Sequence, residues 1–479
     1  MSNNNDRPSA GRKIWRVRPP IPPETRSSLG EADLSPLLAQ LLYNRGITSA
    51  EQAQAFLSSE PVSHDPWTLP GIEAAVDRLR HALENKEQIA IFGDFDVDGV
   101  TATALLARAL KILGSEIIPY IPHRVEEGHG LSLQAIQTLA QQDVDLLVTV
   151  DCGVTSHAEV EAATRAGMDT IITDHHMAPD GPPHACAVVD PRLSGSRYPF
   201  PHLTGAGLAL KLAQALFRSM GLDDERWQQS LLPLAALGTV ADMAPLVDEN
   251  RSIVRQGLLE LGRTSAPGLK ALLRSARLDG RTPDTEAVGW AIAPRLNAPG
   301  RMGHAIVSYE LLVTESEERA TELVATLEQQ NRERQRLGAE AQDKAKNLVE
   351  VQPLLMISDP SFSPGVIGLV AGRLKDEFYR PAVVVSPDPG SGLSRGSCRS
   401  IPEFDIGTAL YDVAPRVGGF IRHGGHPLAA GFTIETEKLP ALRQELVALA
   451  QEALEAKELQ PKLDIDIEVP LGALPGDIY

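Results

Sequence analysis

Short apolar runs without helical spacing alternate with segments whose apolar residues recur every three or four positions, and this alternation organises the chain. Residues 88–93 (QIAIFG), 144–150 (VDLLVTV) and 168–173 (MDTIIT) are runs of the first kind, nearly apolar throughout as strands covered on both faces are. EIIPYIP (116–122) and CAVV (186–189) are two more. From Val100 onward the spacing is helical, and residues 72–84 form a helix leading into the strand at 88–93. Strand followed by helix, repeated, predicts an α/β fold built on a parallel sheet. Upstream, residues 34–57 carry two short amphipathic helices broken at Asn44-Arg45-Gly46, with Thr48 or Ser49 as cap of the second, and residues 1–30 read as a disordered or loosely wrapped leader.

Downstream, residues 203–261 read as mostly helical, whereas six prolines in 177–202 exclude a single regular element there. Residues 308–349 are the longest helical stretch, with Gly338 as its only glycine and no proline, so one long helix or two joined end to end should bridge to a second domain. From Gln352 the alternation resumes with PLLMISD, PGVIGLVAGRLKDEF and PAVVVSP, then a Gly/Ser/Arg stretch (SGLSRGSCRS), the helix DIGTALYDV and the turn IRHGGHPLAAGFTIE. The expected division is an N-terminal extension and helical scaffold (1–70), a parallel-sheet domain (71–307), a connecting helix (308–350), a smaller α/β domain (351–458) and a further segment at 459–479.

Composition alters this picture little. The chain has 479 residues, 43% apolar and 23% charged, which suits a globular protein with large cores. No apolar run reaches the length of a bilayer span, and residues 1–26 are polar with no apolar signal core, so no membrane association and a cytoplasmic location are expected. Cys152, Cys186 and Cys398 are too few and scattered for a disulfide framework or zinc site, and Cys152 reads as a small packed residue. The net charge of −18 disfavours sequence-independent binding of nucleic acid through the bulk surface, although a groove can be basic while the outer surface is acidic.

The candidate chemistry lies at the strand ends. Asp94, Asp96 and Asp98, closed by Gly99, crowd three carboxylates together, and their repulsion calls for a cation. An EF-hand is excluded, because its twelfth position must be Glu and is Leu105 here. A solvated turn is the bland alternative, so partners must decide. They stand at corresponding places: Asp151 after the second buried strand, Asp174, His175 and His176 after the third, and Asp242 interrupting the apolar LGTVADMAPLV. In an open parallel sheet these ends share one crevice. An oxygen-rich set with one imidazole suits two Mn²⁺ or Mg²⁺ ions better than zinc. Asp190, after CAVV, fits the same pattern as a supporting residue. Arg124 lies in a charged, glycine-containing loop (HRVEEGHG, 123–130), and Arg295, Asn297 and Arg301 lie in WAIAPRLNAPGRMG (290–303), a Pro/Gly loop suited either to phosphate contact or to a structural salt bridge.

GDFDVDG, VDCG, TDHH and GTVADMAPL, in this order, resemble the motifs of the DHH phosphoesterase superfamily, and within it the chain is most similar to the RecJ family of bacterial single-strand-specific exonucleases. The resemblance implies a DHH-type parallel-sheet domain joined by a long helix to a smaller α/β domain, with the active site in the cleft between them. It implies two-metal 5′-to-3′ hydrolysis of single-stranded DNA to 5′-mononucleotides in DNA repair and recombination. Asp94, Asp96, Asp98, Asp151, His175 and Asp242 would be the ligands, with Asp151 as bridge, and His176 would orient a ligand or assist a proton. Arg124, Arg295, Asn297 and Arg301 would meet the 5′ end. Arg373, Ser397, Arg399 and Gly424-Gly425-His426 resemble the phosphate contacts of the C-terminal domain. A monomer is expected, with a single-strand-binding protein and a helicase as candidate partners. Residues 459–479 resemble only the entry to an OB-fold domain, so a brief, salt-sensitive grip on DNA is expected. The alternative enzyme is a DHH phosphodiesterase of short oligonucleotides or cyclic dinucleotides, against which the scaffold and arginine patch argue. A family II pyrophosphatase fits less well, and a metal-free nucleic-acid-binding scaffold is the reading from another class.

Overall fold

The computed structural model describes residues 13–30, 33–58, 60–222 and 225–470. The chain forms two compact units: one spans residues 59–334, and the other joins residues up to 58 with those from 335 onward. Among the described residues no helix is long and apolar enough to cross a membrane.

The discontinuous unit begins with β1 (Ile14–Val17) and the helix Pro23–Gly30, so residues 13–30 are not the loose leader that their polarity suggested; residues 1–12 lie outside the described residues. Leu29 packs in a small core with Ile21, Ala39, Leu42, Ile47 and Ala53 from the next two helices, Pro36–Tyr43 and Ala50–Leu57, and the segments that flank them. Ser49 is the cap of the second, in a reciprocal capping box with Gln52.

In the contiguous unit, β2 (Ile89–Gly93), β3 (Ile117–Tyr120), β4 (Leu146–Val150), β5 (Asp169–Thr173) and β6 (Ala187–Val189) form an all-parallel sheet in the order β3-β2-β4-β5-β6. Side chains alternate across it. Ile89, Ile91, Leu146, Val148 and Ile171 meet the helices Ile72–Asn85, Val97–Ile112 and Gly205–Ser219 on one face. Ala90, Phe92, Leu147 and Ile172 meet Leu133–Ala140 and His157–Arg165 on the other. Burial on both faces explains why the strands read as unbroken apolar runs.

One element departs from the sequence reading. Residues 290–303 are helical: a π-turn over Val288–Ile292 runs into the helix Ala293–Met302, with Ala298, Pro299 and Gly300 buried. Pro294 stands in that helix's first turn, where its missing N–H costs nothing, which composition alone disguised. The long helical stretch, read as one helix or two in succession, is two helices, Ile306–Val313 and Glu317–Leu348, separated where Ser316 Oγ accepts from the Arg319 N–H.

The rest of the discontinuous unit is a mixed sheet of β7 (Leu355–Ser358), β8 (Ala382–Asp388), β9 (Leu393–Arg399), β10 (Phe420–His426) and β11 (Ala429–Glu435), ordered β10-β11-β9-β8-β7. Only β7 and β8 pair in parallel. Cys398, Ala430, Phe432 and Ile434 pack against the helices Ile406–Val417 and Leu439–Leu454. Gly424-Gly425-His426 therefore sits on a strand leading into a hairpin, not in the turn itself. Of the segment at 459–479, β12 (Lys462–Ile465) pairs in parallel with β1, and residues 471–479 lie outside the described residues.

Candidate metal centre

The central sheet changes winding direction between β2 and β4, the place where a crevice opens beyond the carboxyl ends of the strands. Asp94 leaves β2 there, Asp151 leaves β4, and Asp174-His175-His176 leave β5. Asp96 caps the helix Val97–Ile112, accepting from the N–H groups of Asp98 (2.9 Å) and Gly99 (3.2 Å). Helix therefore begins three residues before Val100, inside the acidic motif. Gly99 is needed for this close loop, since a Cβ there would lie 2.5 Å from the Asp94 backbone. Asp98 accepts from Gly205 N–H (2.6 Å) and Ala206 N–H (3.0 Å), so the carboxylate of one helix caps the next.

Asp151 is held at φ 62°, in the left-handed region that non-glycine residues enter rarely and mostly at functional positions. Its N–H still continues the ladder to Thr173 O at 3.0 Å. His175 Nε2 stands 3.0 Å from Asp151 Oδ1 and 3.9 Å from Asp98 Oδ2. Asp242 follows the helix Glu225–Ala241 directly and is exposed, so it stands at the rim although it interrupts an apolar run. Ligand atoms gather within 4.8 Å of one another in three overlapping sets: Asp94, Asp96 and Asp151; Asp98, His175 and Asp242; Asp151, His175 and His176. All six predicted ligands are thus brought together.

The charges on these groups conflict. Burial, then the charges of Asp242 and Asp96, pushes Asp98 up to about 8. Burial and the neighbouring carboxylates raise Asp151 well above the carboxylate range, and burial with Asp94 raises Asp96. Crowding by protein and the Asp96 charge push even the solvent-accessible Asp242 up to about 6. Burial, followed by the charge of His176, lowers His175 to about 3, so its imidazole is neutral, the form that binds a cation. Asp94 Oδ1 is buried with no hydrogen-bond partner among the described residues. Clustered oxygens that resist joint ionisation, an unpartnered carboxylate oxygen and a neutral imidazole fit divalent cations that prefer oxygen.

Residues around the cluster hold it in place, and several escaped the sequence reading. Asp174 accepts from Val154 N–H (2.9 Å), and its Oδ1 accepts from His175 N–H (2.7 Å), His176 N–H (3.1 Å) and His176 Nδ1 (2.7 Å). Burial opposes ionisation of both partners, yet the contact outweighs it, lowering Asp174 and raising His176 to about 9. His129 Nδ1 lies 3.1 Å from Asp94 Oδ2; its place between glycines in the 123–130 loop was the available signal. Asp190, read as supporting, is buried and accepts from Arg192 N–H at 2.7 Å. Cys152 is buried and its thiol raised, as a packed residue should be.

The basic candidates divide. The Arg124 guanidinium stands 3.9 Å from the centre of the Phe95 ring, which also meets His129 at 4.2 Å, so the 123–130 loop rests on the acidic one. A Cβ on Gly300 would lie 3.1 Å from Phe95 O, which brings the segment of Asn297 and Arg301 to the same place. Arg295 is held by Glu328 (2.6 Å) and Ala291 O (2.7 Å), the structural salt bridge that the sequence left open. In the other unit, Arg373 is exposed on the helix Ile367–Phe378. Arg399 donates to Ser397 Oγ (3.3 Å), and both approach Gly368 at the start of that helix.

The model of the DHH family N-terminal domain matches residues 88–239, and that of the DHHA1 domain matches residues 349–452. The chain is 35% identical over 455 residues to the single-stranded-DNA-specific exonuclease RecJ of Escherichia coli, covering 91% of this chain and 78% of that protein. The chain belongs to the RecJ family. It is 38% identical over 463 residues to RecJ of Bacillus subtilis, covering 96% of this chain, and spans 58% of that relative's length. Among solved structures, RecJ of Thermus thermophilus in complex with Mn²⁺ superposes with a TM-score of 0.80 at 30% identity, over 95% of this chain and 65% of that one. An exonuclease RecJ bound to manganese gives 0.72 at 34% identity, over 82% and 98%.

Proposed function

We propose that this chain is a metal-dependent exonuclease that hydrolyses single-stranded DNA from the 5′ end and releases 5′-mononucleotides. The observation that supports this most is the meeting of Asp94, Asp96, Asp98, Asp151, His175 and Asp242 at one end of the sheet, with a charge conflict that cations would resolve. The relatives named single-stranded-DNA-specific exonuclease RecJ support the substrate, and the RecJ structures in complex with Mn²⁺ and with Mg²⁺ support the cations. The six side chains would hold two ions, with Asp151 shared. Such ions supply a nucleophile at neutral pH and stabilise charge on the scissile phosphate. The residues do the rest. His175 would offer a neutral imidazole, Asp174 fixes His176 through Nδ1, and His176 would use Nε2 to pass a proton to the departing 3′ oxygen. Arg124 and Arg301 take the 5′ phosphate, beside Asn297 and with Arg295 as a brace. In the other unit Arg373, Ser397, Arg399 and Gly424-Gly425-His426 hold backbone phosphates. The functional division at 71–307 and 351–458, a cytoplasmic monomer working with a single-strand-binding protein and a helicase, and a part in DNA repair and recombination belong to the same proposal.

Digestion of a 5′-labelled and a 3′-labelled single strand with Mn²⁺ tests this reading. The 5′ label should leave at once as a mononucleotide while the 3′ label shortens gradually, and a chelator should stop both. Release of the 3′ label first would refute the polarity. Arg301→Ala should lower kcat/KM on 5′-phosphorylated strands by about ten- to a hundredfold, the worth of a charged hydrogen bond, with a smaller loss on 5′-hydroxyl strands. An unchanged rate and end preference would remove Arg301 from the site. Asp174→Asn should weaken Mn²⁺ binding by about ten- to a hundredfold, because it loosens the groups behind His175 and His176. Titrating Mn²⁺ against the melting temperature measures this, and wild-type affinity would count against the role.

A further inference from the structure

One face of the mixed sheet, covered over β8 and beside Ser397 and Arg399 by the helix Ile367–Phe378 and continuing over β11 and β10, carries three aligned rows of side chains. Along β9, Arg395, Ser397 and Arg399 are partly exposed while Ser394, Gly396 and Cys398 are buried. Along β11, Ala429, Gly431 and Thr433 are partly exposed while Ala430, Phe432 and Ile434 are buried. Residues directly opposite in an antiparallel pair share a face. The register therefore builds Arg399–Ala429–His426, then Ser397–Gly431–Gly424, then Arg395–Thr433–Arg422. The first two rows hold the residues already assigned to phosphate. The third holds two arginines that the family motifs do not account for.

We propose that Arg395 and Arg422, on either side of Thr433, form a second phosphate subsite that holds the next stretch of a single strand running along β9, β11 and β10. The inference rests on the exonuclease reading above and adds to it a subsite and a path. Adjacent rows are two residues apart, about 6.6–6.8 Å along a strand, the scale on which phosphates repeat in an extended single strand. A phosphate over the glycine row is then followed by one at the third row. Gly424, Gly431 and Ala429 leave the middle of the face low, so a backbone can lie against it between the flanking cations. None of the nine residues on the three rows is acidic, in a chain whose net charge is −18, and the β8 residue opposite Arg395 is the uncharged Ser386. Asp388, further along β8, is the carboxylate that feels the charge of Arg395, and it accepts instead from Ser391 Oγ (2.7 Å) and Gly390 N–H (3.0 Å). Thr433 adds a hydroxyl donor between the two guanidinium groups. Arginine suits such a place because its planar fork meets two phosphate oxygens at once.

The test is binding by the whole chain in the presence of chelator, which removes hydrolysis, to fluorescent thymidine strands of two and sixteen nucleotides across a salt series. Arg395→Ala and Arg422→Ala should each weaken the long strand several-fold and reduce the slope of log affinity against log salt by about 0.7, the value for one phosphate contact on a single strand. Binding of the dinucleotide should be unchanged. Arg→Lys at the same positions should restore most of the slope, and Arg443→Ala, which removes a charge from the helix Leu439–Leu454, should change neither quantity. If the double alanine variant keeps wild-type affinity and slope on the long strand, or if the dinucleotide weakens equally, the second subsite is wrong and the exonuclease reading stands. If the wild-type chain binds neither length, the second subsite is wrong, and digestion of the labelled strands with Mn²⁺ decides the exonuclease reading separately.

Discussion

Asp151→Ala is expected to reduce hydrolysis at saturating Mn²⁺ by at least about a thousandfold, beyond the roughly 10²–10³ typical of removing one transition-state contact, while leaving the fold intact. The reason is its shared position. Its carboxylate belongs to two of the three ligand sets and stands 3.0 Å from His175 Nε2, so its loss disturbs both candidate ion positions together. Stability should survive, because the side chain is buried against other carboxylates whose charges oppose its own. The cation-dependent rise in stability should be lost: at a hundredfold excess over its dissociation constant a bound ion contributes about 2.7 kcal/mol. Single-turnover rates and melting curves with and without Mn²⁺ check both expectations. A rate within tenfold of wild type would mean that Asp151 is not the shared ligand.

Gly205→Ala should cost about 1–3 kcal/mol through overpacking and slow hydrolysis by on the order of a hundredfold, the effect of displacing a catalytic group by about 1 Å. Within a helix, glycine to alanine ordinarily stabilises by roughly 0.5–1 kcal/mol. Here a Cβ would lie 2.4 Å from Asp151 Cβ and 3.0 Å from its Cα, and the same residue's N–H holds Asp98. Backbone must move, and both carboxylates move with it. Gly338 supplies the contrast, since nothing lies within 4 Å of a Cβ there and alanine should stabilise. Thermal melting and rates on the two variants give opposite signs if this account is right, and the same sign if Gly205 merely tolerates a methyl group.

The legible parts of this fold were those in which burial imposes a pattern. β2, β4 and β5 read as strands because both faces are covered, and their ends marked Asp94, Asp151 and His175 without any knowledge of the topology. What stayed hidden depends on contacts between distant segments. The requirement for glycine at 205 comes from Asp151, 54 positions earlier (205 − 151), and nothing local to Gly205 expresses it. His129 was overlooked beside Arg124, because a histidine in a polar loop is ordinary until a carboxylate is placed against it. Residues 290–303 were read as a loop because the two prolines look disruptive, yet the fold supplies a π-turn ahead of one and a buried helical turn around the other. Arg422 went unremarked because its meaning is a matter of strand register, which fixes its row with Thr433 and Arg395.

The parallel pairing of β1 with β12 joins positions 448 residues apart, as the Arg16–Asp464 ion pair across it shows. A pairing so distant is entropically slow to close if the intervening chain is loose. The chain between them contains the whole of the contiguous unit, residues 59–334, which can fold from its own sequence as soon as it leaves the ribosome. Synthesis thus releases the strand at residues 14–17 well before its partner at 462–465, and the edge of β1, with Trp15 exposed, must wait while the residues between them are made. Protection of that edge in the nascent chain becomes a requirement of biogenesis, and the order of assembly runs from the contiguous unit outward to the two strands that flank it in sequence.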